Sequence, residues 1–155
     1  MRACENASVD VVQALLDAGA NANASQTSGL TSLMLAAATG NRDVVRALLT
    51  HGADVNAADR FGWSLLHYTT WGGNADMTKM LLEKGANPNT VERERGRTPL
   101  HWAAFRGRKA VAEMLLAHGA NMDTRDWYGK TPLSLAKENG HTEIVELLRK
   151  HGAKE

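Results

Sequence analysis

The chain has 155 residues, 43% of them apolar, and a net charge of +1. These values are typical of one domain with its own core, and the small net charge argues against wholesale electrostatic binding to nucleic acid or a membrane. The single cysteine, Cys4, excludes an internal disulfide, and no apolar run approaches the roughly 18 residues of a membrane-spanning helix. Because the beginning, MRACENASVD, is too polar for a signal peptide, we expect an intracellular protein of the cytoplasm, with the nucleus as the alternative.

The first predicted element is a helix that ends before Gly19. It carries Val11, Val12, Leu15 and Leu16, whose spacings of one, three and four residues place them on one side of a helix. The pattern predicts one buried stripe.

From Gly29 onward, a glycine followed by a Thr-Pro-Leu-His-like run recurs at Gly62, Gly96 and Gly129, after 33, 34 and 33 residues. A fixed period of this size is typical of an array in which each unit buries its apolar face against its neighbours. Arrays of this kind are usually binding surfaces.

Each run predicts a short first helix of about ten residues. In GRTPLHWAAFRG (96 to 107), Thr98 suits the N-cap, Pro99 the first turn and Gly107 a left-handed stop. GKTPLSLAKENG (129 to 140) follows the same plan, and GLTSLMLAAATG and GWSLLHYTTWGG are drifted copies.

A second apolar pattern follows each stop and predicts a second helix that ends at another glycine. Together the two helices and a projecting turn make one unit of an all-α array of antiparallel helix pairs. The stripes are Val44, Val45, Leu48 and Leu49; Met77, Leu81 and Leu82; Val111, Leu115 and Leu116; and Ile144, Val145 and Leu148.

TPLHWAA at 98 to 104, GHTEIVELL at 140 to 148 and HGADVNAAD at 51 to 59 resemble the ankyrin repeat, and the resemblance covers essentially the whole chain. It implies an ankyrin-repeat α-solenoid in which β-hairpin-like turns and first helices line a concave face that binds a partner. It implies no chemistry and no cofactor. We expect one domain over 1–155, with about four full repeats after a truncated one: 1–28 (partial), 29–61, 62–95, 96–128 and 129–155 (C-terminal cap).

The two ends depart from the repeat in opposite ways. Met1 falls where Met34 lies in the next unit, so the first repeat is cut inside its first helix. The chain is then either a fragment of a longer array, which we favour, or capped by a half-repeat. Lys137 and Arg149 replace residues such as Ala104 and Leu116, which predicts a terminal cap near Glu155.

All eight aromatic residues lie between Phe61 and Tyr128, at hairpin tips or on first helices. Tyr68 and Trp71 are one helical turn apart, as are Trp102 and Phe105, so each pair shares a face. Packing within the protein is the favoured interpretation for Tyr68 and Trp102, and partner binding for the others.

Charged residues at the same variable positions are mostly basic. Six cations against Glu94 and Glu138 give this face a predicted net charge of +4. Aromatic residues and arginines are enriched in interface hot spots. The candidate partner-binding residues are Arg60, Phe61, Trp63, Trp71, Arg95, Arg97, Phe105, Arg106, Arg125, Trp127, Tyr128 and Lys130.

The sequence therefore predicts a module, monomeric on its own, that binds a protein partner, for which an acidic or phosphorylated segment would be suitable. One alternative is a nucleotide or single-stranded nucleic acid stacked on the same rings. Another is a scaffold fragment or an engineered binder without a ligand of its own.

Neither metal binding nor catalysis is predicted. Each histidine recurs with the repeat: His67 and His101 resemble the bracket between ankyrin units, whereas His51, His118 and His151 suit helix C-termini. Cys4 occupies the place of a small packing residue, and no catalytic motif is present. For the inserted residue in ERERG, 92 to 96, we expect a solvated loop, or alternatively a change in groove shape.

Overall fold

The structure, a computed structural model, describes residues 9–154, so the predictions about Met1 and Cys4 lie outside the described residues. This part of the chain forms nine short helices. They are α1 (Val9–Asp17), α2 (Ser32–Thr39), α3 (Arg42–Thr50), α4 (Leu65–Gly72), α5 (Ala75–Glu83), α6 (Pro99–Arg106), α7 (Lys109–Ala117), α8 (Pro132–Glu138) and α9 (Thr142–Lys150).

The predicted caps define the first helices. The Thr98 hydroxyl accepts from His101 N–H, Pro99 opens the first turn of α6, and Gly107 ends the helix with φ of 69°. Thr131 and Pro132 play the same roles in α8. These helices have seven or eight residues, not about ten, because cap and stop stand outside the helix.

The helices form two layers with the core between them. First helices α2, α4, α6 and α8 contact one another in that order, and each is joined to the outer helix that follows it. Leu33, Leu66, Leu100 and Leu133 of the first helices are at most 1% exposed. The same holds for one residue of each outer-helix stripe, namely Val44, Met77, Val111 and Ile144. The predicted stripes thus form the core, although their members Leu49, Leu116 and Val145 are only half-buried.

The turns between units stack in a row. Arg93 N–H donates to Phe61 O at 2.8 Å, and Trp127 N–H donates to Arg95 O at 2.9 Å, so backbone hydrogen bonds link neighbouring turns. Within 9–154 these turns contain only the isolated bridges Ser25–Thr31 and Ala58–Ser64, and no extended strand.

A ladder of asparagines joins the outer loops of successive units. The Asn89 amide donates to Gly119 O at 3.0 Å, and its carbonyl oxygen accepts from Asn121 N–H at 2.7 Å. Asn56 repeats both bonds one unit earlier, and Asn23 repeats them two units earlier. This role was not predicted, although asparagine recurs in the sequence at this loop position.

The end units differ from the middle ones. In α1, Val12 and Leu16 are buried, but Val11 and Leu15 are about half exposed, so only part of the first predicted stripe packs into the core. Lys137 and Arg149 are exposed. Their exposure is compatible with a cap, and where the array begins and ends stays a prediction.

Candidate functional site

Buried carboxylates shape the turns that carry the candidate residues. Asp59, 6% exposed, accepts from the backbone N–H of Phe61 and of Trp63, each at 2.9 Å. Its second oxygen accepts from the Tyr68 hydroxyl at 2.7 Å. Burial and this carboxylate both raise the pKa of the Tyr68 phenol. Asp59 thus fixes the turn that presents Phe61 and Trp63 and ties it to α4.

Asp126 has the same place in the last turn, where it also neutralises an arginine. It accepts from the N–H groups of Tyr128 and Lys130 at 2.9 Å, and from Arg97 Nε at 3.0 Å. Burial by itself raises the pKa of Asp126, but the hydrogen bonds from Lys130, Arg97 and Tyr128 outweigh it and leave the pKa below its usual value. Asp126 is therefore a charged, fully engaged carboxylate.

Glu92 is the counterpart in the turn with the inserted residue. It is completely buried, and its carboxylate accepts from the N–H groups of Glu94, Arg95 and Arg97 at 2.6 to 3.1 Å. The expectation of a solvated loop is wrong for this residue. The longer side chain of glutamate fills a turn that is longer by one residue, so the insertion is part of an ordered structure.

Five aromatic rings form a continuous cluster that joins one turn to α4 and α6, called here the aromatic cluster: Trp63, Tyr68, Trp71, Trp102 and Phe105. Trp63 contacts three of the others at centroid distances of 5.4 to 6.0 Å. Trp71 meets Trp102 edge to face at 5.0 Å, and Trp102 meets Phe105 in the same way at 5.7 Å. Such pairs stabilise beyond the area they bury.

Arginines lie over these rings. Arg106 stands 4.2 Å from the centroid of Trp71, and Arg97 lies over both Trp102 and Phe105 at 5.0 and 5.2 Å. Arg60 covers Phe61 at 4.5 Å in the same manner. The ring face attracts a cation, so arginines and aromatic residues form one interlocked surface.

Burial divides the candidate residues into groups. Phe61 and Trp71 are 39% exposed, and Trp127 and Tyr128 are 64% and 67% exposed. Arg60, Arg95, Arg106 and Arg125 are exposed, whereas Trp63, Phe105 and Lys130 are half-buried. Trp102, for which packing was favoured, is 3% exposed.

Arg97 differs from the other candidates. It is 8% exposed, and its guanidinium is engaged with Asp126 and with two rings. The structure thus gives it a place inside the protein, as a link between two units, and not on the open surface.

The charge of this face is smaller than the sequence predicted. Asp59, Glu92 and Asp126 were left out of the predicted +4, and so was Arg93 in the same turn as Glu92, so seven cations stand against five carboxylates, which leaves +2. Lys130 also pairs with Glu138. The exposed positive charge comes from five arginines: Arg60, Arg93, Arg95, Arg106 and Arg125.

The histidine brackets are confirmed. His67 Nε2 lies 3.0 Å from Arg97 O, and His101 Nε2 lies 3.1 Å from Lys130 O, each in the next unit. Nδ1 of His101 accepts from Thr98 N–H, so the neutral tautomer with a proton on Nε2 satisfies every bond. Burial lowers the pKa of His67 to about 4, and the pKa of His101 is lowered for the same reason.

Three further histidines lie at helix C-termini, as predicted. Nδ1 of His51 lies 2.9 Å from Ala47 O, which belongs to the last turn of α3. His118 and His151 repeat this contact in α7 and α9. In the part of the chain that the structure describes, no group of three or more potential ligands is placed to hold a metal ion.

Comparison with known proteins agrees with this architecture. The family model described as ankyrin repeats (3 copies) matches residues 1–92 and again 87–155. No curated protein matches the chain. Among the helices of residues 9–154, none has the length and apolar character needed to cross a membrane.

Proposed function

Since the chain belongs to the ankyrin-repeat family, whose members are generally protein-interaction modules and typically not enzymes, we propose that it binds a protein partner on its inner face. The inner face means the surface of the turns and first helices between Arg60 and Lys130. The partner segment in contact with it carries acidic residues.

The observation that carries the proposal is the position of the exposed large apolar side chains. Four of the seven in the described chain are aromatic, and all four lie on the inner face: Phe61, Trp71, Trp127 and Tyr128. Large apolar residues gathered on one exposed surface mark interaction sites. Their rings also lose little conformational entropy on binding.

The acidic character of the partner follows from the arginines beside these rings. Arg106 lies over Trp71 and Arg60 over Phe61, and both arginines are exposed. An incoming carboxylate can therefore pair with a guanidinium that the ring already orients, which lowers the ordering cost of binding. A nucleic acid is less suited, because binding to it depends on neutralising many phosphates, and the inner face, counted together with the flanking Asp59 and Glu138, carries a net charge of only +2.

The test starts with affinity capture on the immobilised chain, followed by dissociation constants for each captured protein. We expect Trp127→Ala to weaken binding by about 2 kcal/mol or more, as for a hot-spot residue. Arg106→Glu is expected to weaken it by at least about tenfold, because it replaces an attraction with a repulsion.

Each variant has a matched control away from the inner face. Leu15→Ala removes a 49% exposed apolar side chain from α1, and Lys79→Glu reverses an exposed charge on α5. Both controls are expected to bind like the parent. If Trp127→Ala and Arg106→Glu also bind like the parent while remaining folded, the partner does not use the inner face.

A further inference from the structure

A histidine joins α1 to the rest of the array. His51 caps the C-terminal end of α3, and its ring lies between two oxygen atoms. Nδ1 is 2.9 Å from Ala47 O in the last turn of α3, and Nε2 is 3.1 Å from Asp17 Oδ1 of α1. The Gln13 amide lies 3.4 Å from Nε2 and donates to the same carboxylate at 3.0 Å. α1 therefore contacts His51 through one carboxylate and one amide.

The two oxygen atoms distinguish the protonation states of His51. A neutral imidazole has one N–H group, so it donates either to Ala47 O or to Asp17, and the other oxygen then faces a ring nitrogen without a hydrogen. The imidazolium ion has two N–H groups and donates to both oxygens. When the neutral ring carries its proton on Nδ1, the Gln13 amide can donate to Nε2, but 3.4 Å is long for this bond. Both contacts with oxygen exist together only when His51 is protonated.

The pKa of His51 reflects this arrangement. The hydrogen bond to Ala47 O and the hydrogen bond to Asp17 raise the pKa above 6.5, and together they outweigh burial, which lowers it. α2 carries no charged residue, and of the acidic residues Asp10 and Asp17 on α1 only Asp17 contributes. The charged residues of α3 itself do not contribute: Arg42, Asp43 and Arg46. Within residues 9–154, Asp17 is thus the charged group that acts on His51.

The arrangement is specific to the junction of α1 and α3. His118 and His151 have the same position in α7 and α9, and their Nδ1 atoms make the same contact with a carbonyl oxygen four residues earlier. Among the described residues, neither of them is paired with a carboxylate. In α5 the position is occupied by Lys84. Protonation of a helix-ending histidine therefore acts between two units at this junction alone in the described chain.

Helix α1 buries less of its apolar stripe than the outer helix that follows. Val11 and Leu15 are 51% and 49% exposed, whereas Val44 and Leu48, at the same positions of α3, are at most 2% exposed. Segments that bury little apolar surface open locally at a small free-energy cost. A polar contact of ordinary strength can therefore change the docking of α1 measurably.

We propose that His51 and Asp17 form a pH-dependent latch, which holds α1 on α3 when His51 is protonated and loosens it when His51 is neutral. Because docking raises the pKa of His51, the latch contributes fully below pH 6.5 and is lost as the pH rises through the pKa of the folded chain. Its release exposes the apolar side chains that α1 now buries, Val12 and Leu16. The inference does not depend on the proposed function.

Hydrogen exchange measured by mass spectrometry at pH 6 and pH 8 tests the latch without a ligand. The readout is the protection factor of the α1 amides, which compares their exchange rate with that of an unstructured peptide at the same pH. Asp17 and His51 are 62% and 25% exposed, and an ion pair of this kind changes an equilibrium by roughly twofold to fivefold. We expect the protection of α1 to fall by this factor from pH 6 to pH 8. The internal reference is α7, which should not lose protection.

Two substitutions remove the latch by different routes. His51→Asn removes the titratable ring and keeps an amide near Ala47 O, and Asp17→Asn keeps an acceptor oxygen without its charge. Both variants should have the same protection of α1 at pH 6 as at pH 8, close to that of the parent at pH 8. His118→Asn is the matched control, because it removes the same side chain from the same position of α7. It should leave the pH dependence of α1 unchanged.

Each contrary result overturns the proposal. Protection of α1 that is equal at the two pH values in the parent, or greater at pH 8, means that there is no latch. A fall that persists in both His51→Asn and Asp17→Asn assigns the pH dependence to another group. NMR titration of His51 gives a second readout: we expect a pKa above 6.5 that decreases in Asp17→Asn, and a pKa at or below 6.5 in the parent also removes the latch.

Discussion

The indole ring of Trp127 lies directly on Gly96 of the preceding turn. A β-carbon at Gly96 would lie much closer to the ring atoms Cδ1 and Nε1 than van der Waals contact allows. The backbone N–H of Trp127 also donates to Arg95 O at 2.9 Å. A glycine in one unit therefore positions the exposed aromatic side chain of the next.

This relationship predicts different costs for alanine at two glycines with the same backbone conformation. Gly96 and Gly129 have φ of 71° and 73°. Because alanine is strained in this left-handed conformation, either Gly→Ala substitution should lower the free energy of unfolding by about 1 kcal/mol. Gly96→Ala also has to displace Trp127, which should add roughly 1 to 3 kcal/mol, whereas nothing lies within 4 Å of a β-carbon at Gly129. Urea denaturation of both variants measures the difference, and equal losses would mean that Trp127 does not rest on Gly96.

The repeat period made the fold predictable. Helix caps and the two apolar stripes depend on residues within one unit. The histidine brackets depend on a backbone carbonyl at one fixed position of the next unit. A period of 33 or 34 residues is enough to place such features. The helix lengths and the solvated loop at Glu92 were predicted wrongly, because both depend on how the turn residues are used for hydrogen bonds.

The site was predicted less completely because its contacts join unlike residues in different units. Arg97 meets Asp126 across 29 positions, and no periodic pattern pairs an arginine with an aspartate at that separation. The signal that was available is the acidic residue three or four positions before Gly62, Gly96 and Gly129. It identifies the turn carboxylates, and it would have corrected the predicted charge of the inner face.

A buried hydroxyl in α4 predicts a stabilising substitution. Thr70 is completely buried, and its hydroxyl has no hydrogen-bond partner among the described residues. Because an unpaired buried hydroxyl is costly, the nearly isosteric Thr70→Val should raise the free energy of unfolding by about 1 kcal/mol. The corresponding readout is the denaturation midpoint.

Thr78→Val is the matched control for that substitution. The Thr78 hydroxyl lies 2.9 Å from Asn74 O and 3.1 Å from the Thr69 hydroxyl, so removing it should destabilise by about 1 kcal/mol. If both variants change stability in the same direction, hydrogen bonding at these hydroxyls does not decide the effect.

The buried histidines predict a loss of stability in acid. His67 has a pKa of about 4 in the folded chain against 6.5 as its ordinary value, so the unfolded chain binds more protons between these pH values. The free energy of unfolding is therefore not reduced by His67 above pH 6.5. It falls as the pH decreases toward 4, and His67 accounts for about 3 kcal/mol of this decrease. His101 acts in the same direction.

The measurement is the free energy of unfolding in urea at several pH values across this interval. His67→Gln should be less stable at pH 7 because the bracket to Arg97 O is altered, but its stability should depend less on pH. An unchanged dependence in this variant would assign the acid sensitivity to other groups.

The Arg97–Asp126 pair predicts that a substitution of Arg97 lowers the free energy of unfolding much more than the same substitution of the nearby Arg95. Both side chains are almost completely buried, so Arg97→Met leaves the Asp126 carboxylate without its cation and should cost about 3 kcal/mol. Because methionine keeps an apolar side chain against Trp102 and Phe105, the destabilisation comes mainly from the removal of the positive charge. Arg95→Met, on an exposed residue beside the same rings, should cost no more than about 0.5 kcal/mol. A double-mutant cycle with Asp126→Asn measures the coupling, and a coupling near zero would mean that the pair does not hold these two units together.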